Sequence, residues 1–472
     1  MKGVICVSKN PPLYKFIRLA NVNLTPTDIY NRLTGKKKFL LESTFQHKKK
    51  GKFSFIGEEP YMGIIGNGSE TTMYHYETGV TEKFGENALV VLKKYLPKID
   101  LDISLPFYGG AIGYVGYDAI RQFECIGSDL PDDIQMPDIH FLLYKTTIII
   151  DHKEDRVYLV AVNVEQELET ELDERLNKLE EKLKNGNEIG DIEVSSVQFF
   201  PEITEDTFIK KVEEAKEYIQ KGDIFQVVLS QRFIAQIDGD PFHIYQKLRK
   251  ANPSPYMFYI DFGDYTLLGA SPESLIQTEG REMITNPIAG TRPRGKTDEE
   301  DSRLAEELLS DEKELAEHQM LVDLSRNDLG KVAKSGTIEL PTYMKIEKYQ
   351  HVMHIVSEVK GQLREDLTSI DALISCLPAG TVSGAPKIRA MQIINELEEK
   401  KRGVYAGGVG YINYNFDLNM ALAIRSLVII DGKAYLQAGA GIVHDSNPYL
   451  EYEETLNKAK SLMEVVQNVF ID

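Results

Sequence analysis

The chain has 472 residues, of which 73 are acidic and 54 basic, so its formal net charge is −19. A surface this negative excludes nucleic-acid binding by the chain as a whole, and no apolar run has the pattern of a signal peptide or approaches the roughly 18 residues of a membrane span. Three scattered cysteines are too few for a disulfide framework or a zinc site, so we expect a soluble, cytoplasmic protein that contacts neither nucleic acid nor membrane.

The first part of the chain predicts strands and one charged helix. Residues 106–117 are typical of strands with turns. Residues 145–163 predict a hairpin with its turn at 152–155. A charged helix is then expected over 165–184.

The next segment has the composition of a linker. Between about 185 and 203, polar residues and glycines interrupt the periodic pattern. We therefore predict two domains, an N-terminal one over 1–195 and a C-terminal one over 196–472.

An amphipathic helix opens the second domain, and a strand follows it directly. The helix carries one apolar stripe and ends before a glycine: Phe208, Val212, Ala215, Ile219 and Gly222. The strand, over 224–233, has an apolar face with Phe225, Val227, Leu229 and Phe233, and an opposite face with Gln226, Ser230 and Arg232. Gln226 is therefore expected to point away from the more apolar side.

Three strands are predicted to form a meander near the C-terminus: about 407–414, 420–430 and 433–441. Asp431-Gly432 is a two-residue hairpin turn between the last two. The resulting register sets Arg425 opposite Ala438, so that a guanidinium lies beside Gly439–Gly441. Backbone amides of that segment can approach a carboxylate closely, because glycine has no Cβ.

Glutamate pairs in two helical segments indicate a divalent metal site. In each pair the residues are three apart and share a helix face: Glu314 with Glu317, and Glu451 with Glu454. Asn447 and Pro448 predict the start of the second helix. Converging carboxylates repel by about 4 kcal/mol per pair at 4 Å and an effective dielectric of 20, and a hard cation such as Mg²⁺ removes that repulsion. The alternative is two unrelated, solvated helix faces.

Two single residues are candidates for proton transfer. Glu273 follows a proline, whose rigid turn could aim the carboxyl group as a general acid requires. An ordinary carboxylate in a turn has the same pattern. His354 is more often a packed histidine than a catalytic one.

Seven strings, in this order, resemble the chorismate-binding enzymes, and most closely their anthranilate-forming branch: ITNPIAGTRPRG, EHQMLVDLSRNDLG, HVMHIVS, PAGTVSGAPK, GGVGYI, AIRS and QAGAGIVHDSNPYLEYEET. The resemblance covers essentially the whole chain. It implies an α+β fold of large antiparallel β-sheets packed as a sandwich with outer helices, in two interlocked domains, with the active site in the C-terminal domain. The implied reaction converts chorismate and ammonia to anthranilate and pyruvate, with Mg²⁺ as the cofactor.

The resemblance also assigns binding roles. It implies that Glu317 and Glu454 bind Mg²⁺ directly, and that Glu314 and Glu451 act through water. The implied chorismate contacts are Gly290, Thr291, Tyr405, Arg425, Gly439, Ala440 and Gly441.

The same resemblance implies the catalytic residues. Glu273 would protonate the departing C4 hydroxyl, Thr381 would line the same pocket, and His354 would assist the later loss of pyruvate. Gln226 stands where water-adding relatives have a lysine, and Ala289 stands where aminodeoxychorismate-forming relatives have a nucleophilic lysine. Amination at C2, hence anthranilate, is the expected outcome.

LLES and NPSPYMF resemble a tryptophan feedback pocket, which would be lined by Glu42, Ser43, Lys52, Pro255, Tyr256 and Met257. Relatives that make para-aminobenzoate can keep tryptophan there as a fixed ligand, so LLES alone does not establish regulation. The PYM string favours regulation, which gives the N-terminal domain a regulatory role.

The expected partner is a glutamine amidotransferase subunit. The sequence has no evident glutaminase nucleophile elbow or Cys-His-Glu set, so ammonia from glutamine requires a second chain, in a heterodimer or heterotetramer. Two other functions stay open, namely an aminodeoxychorismate-forming enzyme, which its product would distinguish, and a non-catalytic tryptophan-binding regulator.

Overall fold

The computed structural model describes residues 12–19, 24–43, 52–186, 198–349 and 352–467. The strands are β1 (Tyr14–Leu19), β2 (Phe39–Glu42), β3 (Phe53–Gly57), β4 (Met62–Asn67), β5 (Glu70–His75), β6 (Val80–Phe84), β7 (Gly110–Val115), β8 (Ile139–Tyr144), β9 (Thr146–Asp151), β10 (Arg156–Val162), β11 (Phe200–Pro201), β12 (Gln226–Gln236), β13 (Tyr256–Asp261), β14 (Tyr265–Ser271), β15 (Ser274–Glu279), β16 (Glu282–Thr285), β17 (Ile288–Pro293), β18 (Glu339–Lys348), β19 (Val352–Gln362), β20 (Gly384–Ala385), β21 (Gly408–Asn413), β22 (Leu418–Leu422), β23 (Ser426–Ile430) and β24 (Lys433–Ile442). The α-helices are α1 (Pro26–Arg32), α2 (Ala88–Tyr95), α3 (Glu169–Asn185), α4 (Glu205–Gln220), α5 (Pro241–Ala251), α6 (Asp298–Ser310), α7 (Glu312–Gly330), α8 (Ser369–Cys376), α9 (Lys387–Leu397) and α10 (Pro448–Gln467). Two 3₁₀ turns, Tyr117–Gln122 and Gly380–Val382, complete the described elements. In the described ranges, no helix combines the length and the apolar character that a membrane span requires.

These strands form two antiparallel sheets of twelve strands each. The first sheet has the order β1-β10-β9-β3-β2-β13-β14-β23-β24-β12-β11, and β20 also pairs with β12. The second has the order β17-β19-β16-β15-β22-β21-β7-β8-β4-β5-β6, and β18 also pairs with β19. The predicted α+β class with large antiparallel sheets is confirmed.

Both sheets continue from the N-terminal part of the chain into the C-terminal part. In the first sheet, Glu42 of β2 lies opposite Met257 of β13, and in the second, Tyr114 of β7 lies opposite Val409 of β21. Strand pairing therefore interlocks the two parts. The division at residue 195 stays a prediction, because 187–197 lies outside the described residues.

The two sheets face each other across an aromatic core. The ring of Phe55 in the first sheet lies 5.6 Å from that of Tyr411 in the second, and the hydroxyls of Tyr114 and Tyr265 are 3.0 Å apart. On the other side of the first sheet, α1, α3, α5 and α10 contribute apolar side chains to a second core cluster. These four helices thus lie outside the sandwich, as predicted for outer helices.

Local sequence patterns predicted several elements correctly. β9 ends at Asp151 and β10 begins at Arg156, which leaves 152–155 as the turn. α3 and α4 form at the two predicted helices, and Gly222 after α4 has the left-handed conformation (φ +81°) that favours glycine at a helix end.

The predicted strand over 420–430 is wrong, because this segment forms two strands in different sheets. β22 belongs to the second sheet and β23 to the first, and the backbone turns between them at Arg425, where φ is +53°. The Asp431-Gly432 hairpin is confirmed, but its ladder ends at the pair Leu427–Leu436. Arg425 is therefore not opposite Ala438, which pairs with Gln231 instead.

The prediction for Phe225 is also wrong. It precedes β12, its backbone N–H donates to Ala385 O, and its side chain is 73% exposed instead of lying on the apolar face. Gln226, Ser230 and Arg232 are buried, because β12 is covered on both faces.

Candidate active site

One open cavity brings most of the predicted site residues together. It lies between β12, β17, β24, α7 and α10, beside the 3₁₀ turn Gly380–Val382. The predicted residues that line it are Glu273, Gly290, Thr291, Glu314, Glu317, Thr381, Tyr405, Arg425, Gly439, Gly441, Glu451 and Glu454. Gln226 and Ala289 line it as well, whereas His354 and Ala440 do not.

Gly290 lets β17 approach α7. It lies at an irregularity in the pairing of β17 with β19, between Ala289 and Thr291, and has a φ of +67°. A Cβ at this position would be 3.0 Å from Leu308 Cδ1 and 3.2 Å from Glu314 Oε2. Glycine is therefore required here by both backbone conformation and space.

The direction of two backbone amides in β24 follows from the antiparallel ladder. In β12, Ser230 N–H donates to Glu398 Oε1 and Val228 N–H donates to Ser383 O, so neither donates to β24. Their partners Gly439 and Gly441 consequently direct their N–H groups away from β12. On that side β24 has no strand partner beyond Leu436, and the cavity begins.

Ala440 points the other way. It pairs with Leu229, between the two pairs whose N–H groups turn outward, so its N–H faces β12. Its side chain is fully buried in the core. Two of the three predicted backbone N–H groups, those of Gly439 and Gly441, therefore face the cavity.

The four predicted metal-binding carboxylates converge from α7 and α10. Burial raises the pKa of Glu317, and the charges of Glu314 and Glu454 raise it further. Burial also raises the pKa of Glu451, and the charge of Glu454 adds to that effect. Glu317 and Glu454, which are 137 positions apart in the chain, therefore act on one another across the cavity, which the solvated-face alternative does not explain.

Internal donors already hold three of these carboxylates. Gln226 Nε2 donates to Glu317 Oε1 across 3.2 Å. Arg292 Nη1 lies 3.3 Å from Glu314 Oε1, and Lys458 Nζ lies 2.6 Å from Glu454 Oε1.

The donor set fits a hard divalent cation that keeps water ligands. In the described ranges, no group of three or more His, Cys, Asp or Glu side chains is arranged so that it could hold a metal ion by itself. Two pairs of carboxylates around an open cavity nevertheless match the preference of Mg²⁺ for a few carboxylates, several waters and substrate oxygens.

Glu273 and Thr381 are joined by a hydrogen bond at one side of the cavity. Glu273 lies in the loop between β14 and β15, and Thr381 Oγ1 donates to its Oε1 across 2.8 Å. Burial raises the pKa of Glu273 to about 7, although the Thr381 hydrogen bond and the charge of Lys458 act in the opposite direction. A carboxyl group with this pKa is partly protonated near neutral pH, as a general acid must be.

His354 lies behind the cavity wall. Its Nδ1 is 2.9 Å from Gly290 O and 3.1 Å from Thr291 Oγ1. Because a carbonyl only accepts, Nδ1 carries the proton and Nε2 is left as the acceptor of the neutral ring. Burial lowers the pKa of His354, which favours that neutral form.

Arg425 and Tyr405 supply polar groups at the end of the cavity near β24. Arg425 donates to Lys458 O and to Ser461 Oγ, and burial lowers its pKa. Burial raises the pKa of Tyr405 to about 12. A Cβ on Gly439 would lie 2.8 Å from the Tyr405 hydroxyl, so glycine makes room for it.

Lys458 is a site residue that the sequence reasoning missed. Its Nζ donates to Gly439 O across 2.9 Å and pairs with Glu454 one turn earlier on α10. The spacing of four from Glu454 was visible in the sequence, but such pairs are common on solvated helices.

The residues predicted to bind tryptophan lie where β2 meets β13. Glu42 is buried, and its Oε1 accepts from Tyr245 Oη and from Arg249 Nε, both at 2.7 Å. Lys52 N–H donates to Ser43 Oγ across 3.1 Å. Pro255 and Met257 are buried and Tyr256 is half-buried.

Comparison with known proteins identifies close relatives. A family profile described as chorismate binding enzyme matches residues 36–464. The chain is 45% identical to "Anthranilate synthase component 1" of Lactococcus lactis subsp. lactis, over 94% of this chain and 98% of the relative, and 43% identical to the protein of that name from Acetivibrio thermocellus, over 94% and 93%. The crystal structure of anthranilate synthase component I from Streptococcus pneumoniae TIGR4 superposes with a TM-score of 0.82 at 42% identity, covering 93% of this chain and 97% of that one.

Proposed function

This chain belongs to the chorismate-binding enzymes, and from that premise we propose that it converts chorismate and ammonia to anthranilate, pyruvate and water in tryptophan biosynthesis. The observation that carries the proposal is the single cavity in which a carboxyl group with a pKa of about 7 adjoins four carboxylates, a guanidinium and two outward backbone amides. Relatives named for this activity cover nearly the whole chain.

The polar groups of the cavity suit a substrate with two carboxylates. Arg425 and the N–H groups of Gly439 and Gly441 are the donors for one of them. Glu317 and Glu454 would hold Mg²⁺ directly, and Glu314 and Glu451 would hold it through water. When bound, Mg²⁺ supplies Lewis acidity to the other carboxylate, on the ring.

The proton-transfer steps fall to residues of this chain. Glu273, held by Thr381, donates its proton to the C4 hydroxyl, which leaves as water while ammonia adds at C2. Gln226 is neutral and bonded to Glu317, which agrees with a nucleophile that brings its own lone pair. His354 holds Gly290 O and Thr291 Oγ1 in place for the later loss of pyruvate.

A product assay tests the proposal. We expect fluorescent anthranilate from chorismate, an ammonium salt and Mg²⁺, and formation slower by roughly 10²–10⁴ from the Glu273→Gln variant under the same conditions. Accumulation of aminodeoxychorismate instead would assign the chain to that branch of the family. Tryptophan binding without any turnover of chorismate would make it a regulator.

The partner is proposed to be a glutamine amidotransferase, since the relatives carry the name of a component. A surface groove adjoins the substrate cavity and shares Gln226, Lys313 and Glu317 with it. Phe225 lies in this groove and is 73% exposed, as a side chain awaiting a partner surface would be. Ammonia released there would have a short path to the substrate.

Glutamine and ammonium separate the two functions of the complex. With the amidotransferase added, Phe225→Ser should lower glutamine-dependent turnover and leave ammonium-dependent turnover unchanged. Phe200→Ser is the matched control, because Phe200 is also 60% exposed but lies on β11, outside the groove. An equal loss with both nitrogen sources, or no loss with glutamine, would refute this placement.

Tryptophan is proposed as a feedback inhibitor at the junction of β2 and β13. Both parts of the chain contribute residues to that junction, so a ligand there can bias their arrangement and lower the affinity for chorismate. Linkage requires chorismate to oppose tryptophan by the same factor. Titrations of each ligand in the presence of the other test this, and independent binding would contradict it.

A further inference from the structure

A second, smaller cavity adjoins Glu273. It shares Glu273, Thr381 and Leu321 with the substrate cavity, so the general acid lies between the two. It is enclosed by β15, β16, α7 and the end of α8.

Unpartnered polar atoms line this second cavity. Asp328 is 4% exposed and Thr285 is 6% exposed, and neither Asp328 Oδ1 nor Thr285 Oγ1 has a hydrogen-bond partner among the described residues. Ser274, which is 9% exposed, also lines it, and the polar neighbour of its hydroxyl is that of Tyr256, outside hydrogen-bonding geometry. Buried polar atoms are nearly always satisfied by protein or by ordered water, and several unsatisfied atoms around one cavity indicate water.

The cavity also reaches the protein surface. Asn286 and Ser325 line it and are both partly exposed. The cavity has room for roughly two waters, and water there would lie between these partly exposed residues and Glu273.

We propose that water in this second cavity returns a proton to Glu273 after each turnover. This role rests on the proposed function. When the C4 hydroxyl departs, the O–H bond of Glu273 breaks and the proton leaves in the water that forms. The carboxylate then takes a proton from the adjacent water in the cavity. That water regains a proton from the solvent. The proton that the added ammonia loses to the solvent completes the balance.

The charges around the cavity are compatible with this path. Lys387 Nζ lies 2.5 Å from Asp328 Oδ2, which leaves Oδ1 free to accept from water. The positive charge of Lys331 acts to lower the pKa of Asp328, and that of Lys458, on α10, acts to lower the pKa of Glu273. Cys376 also lines the cavity, but burial raises the pKa of its thiol to about 12, so it stays neutral.

Thr285→Val is the first test, because it removes the hydroxyl while keeping the shape of the side chain. Thr147→Val is its matched control, since Thr147 is buried with an unpartnered hydroxyl on β9, away from the cavity. Ser274→Ala and its control Ser369→Ala form a second pair, because Ser369 is likewise buried and unpartnered, but lies outside the cavity. Thermal unfolding of all four variants verifies that they fold.

Single-turnover and steady-state rates distinguish proton return from the chemical step. With enzyme in excess at slightly acidic pH, where Glu273 starts protonated, both cavity variants should form anthranilate at the wild-type rate. In the steady state their kcat should fall several-fold, with a larger solvent deuterium isotope effect, and imidazole buffer should restore it. The two controls should behave as wild type.

Different results would refute the proposed function and the proton path. Absence of anthranilate in a single turnover of the wild type would refute the proposed function. If anthranilate forms, the proton path is refuted by equal losses in both regimes, by unchanged steady-state rates, or by no response to imidazole.

Discussion

Thr381 Oγ1 donates to Glu273 Oε1 across 2.8 Å, and this bond stabilises the carboxylate form of the general acid. Burial holds the pKa of Glu273 at about 7, so kcat should fall as the pH rises through about 7 and the acid loses its proton. Thr381→Val removes a bond that lowers the pKa, and should therefore move this fall in kcat to higher pH. A pH profile of kcat measures the shift, and a shift to lower pH would contradict the assignment.

Glu273→Gln should lower kcat by roughly 10²–10⁴ and leave the KM for chorismate nearly unchanged, because only the proton is lost.

The same variant should unfold at a higher temperature than wild type above neutral pH. Because burial raises the pKa of Glu273, its neutral carboxyl group makes its full contribution to folding stability below the unfolded-state pKa. That contribution is lost as the pH rises through about 7. Melting temperatures at acidic and alkaline pH check the sign, and a greater advantage of the variant at acidic pH would be inconsistent with a buried, neutral carboxyl group.

Ala289→Lys should divert the reaction from anthranilate. Ala289 lines the substrate cavity, and a lysine there would bring an amine nucleophile toward the ring. We expect loss of anthranilate fluorescence together with a covalent adduct or aminodeoxychorismate, detected by mass spectrometry. Ala289→Met controls for side-chain length. Unchanged anthranilate synthesis in the lysine variant would show that position 289 does not face the reacting carbons.

Glu454→Gln should weaken the activation of the enzyme by Mg²⁺ by at least about tenfold, a loss of about 1.4 kcal/mol. Glu453→Gln changes the charge equally on the same helix, but Glu453 does not line the cavity and should leave the activation unchanged. Mg²⁺ titrations of the initial rate, after removal of metal with a chelator, measure both. Equal effects of the two substitutions would point to the general charge of α10 instead of a ligand.

Gly290→Ala should both destabilise the protein and raise the KM for chorismate. A left-handed backbone costs a residue with a Cβ about 1–3 kcal/mol, and here the Cβ would also press on Leu308 and Glu314. Gly280→Ala is the matched control, because Gly280 has a φ of +58° with nothing within 4 Å of the added Cβ. Chemical unfolding and KM values should show the larger change at position 290, and equal effects would leave the close packing of β17 on α7 without energetic weight.

Sequence patterns predicted what depends on nearby residues. The β9–β10 hairpin, the glycine after α4 and the cap of α10 by Asn447, whose Oδ1 accepts from Tyr449 N–H across 3.0 Å, each follow from interactions within a few positions. The split of β22 from β23 depends on which sheet each strand joins. That choice is made by distant partners, so the apolar run around Arg425 could not reveal it.

In the candidate active site, too, local spacing was predictable and distant contacts were not. Residue spacing predicted that Glu451 and Glu454 share a helix face, but only the packing of α10 near α7 brings them to Glu317. The family resemblance supplied the set of residues. It did not supply the direction of the Ala440 amide, the withdrawal of His354 behind Gly290, or Lys458, all of which depend on strand register and side-chain conformation.

The pairing of β2 with β13 and of β7 with β21 has a consequence for synthesis of the protein. A nascent chain that has emerged only to about residue 195 would display unpaired strand edges at β2 and at β7, and unpaired edges favour aggregation. The strands that cover them, β13 and β21, are translated far later. Ribosome-bound intermediates should therefore depend on chaperones, and separately expressed halves should become soluble only when produced together.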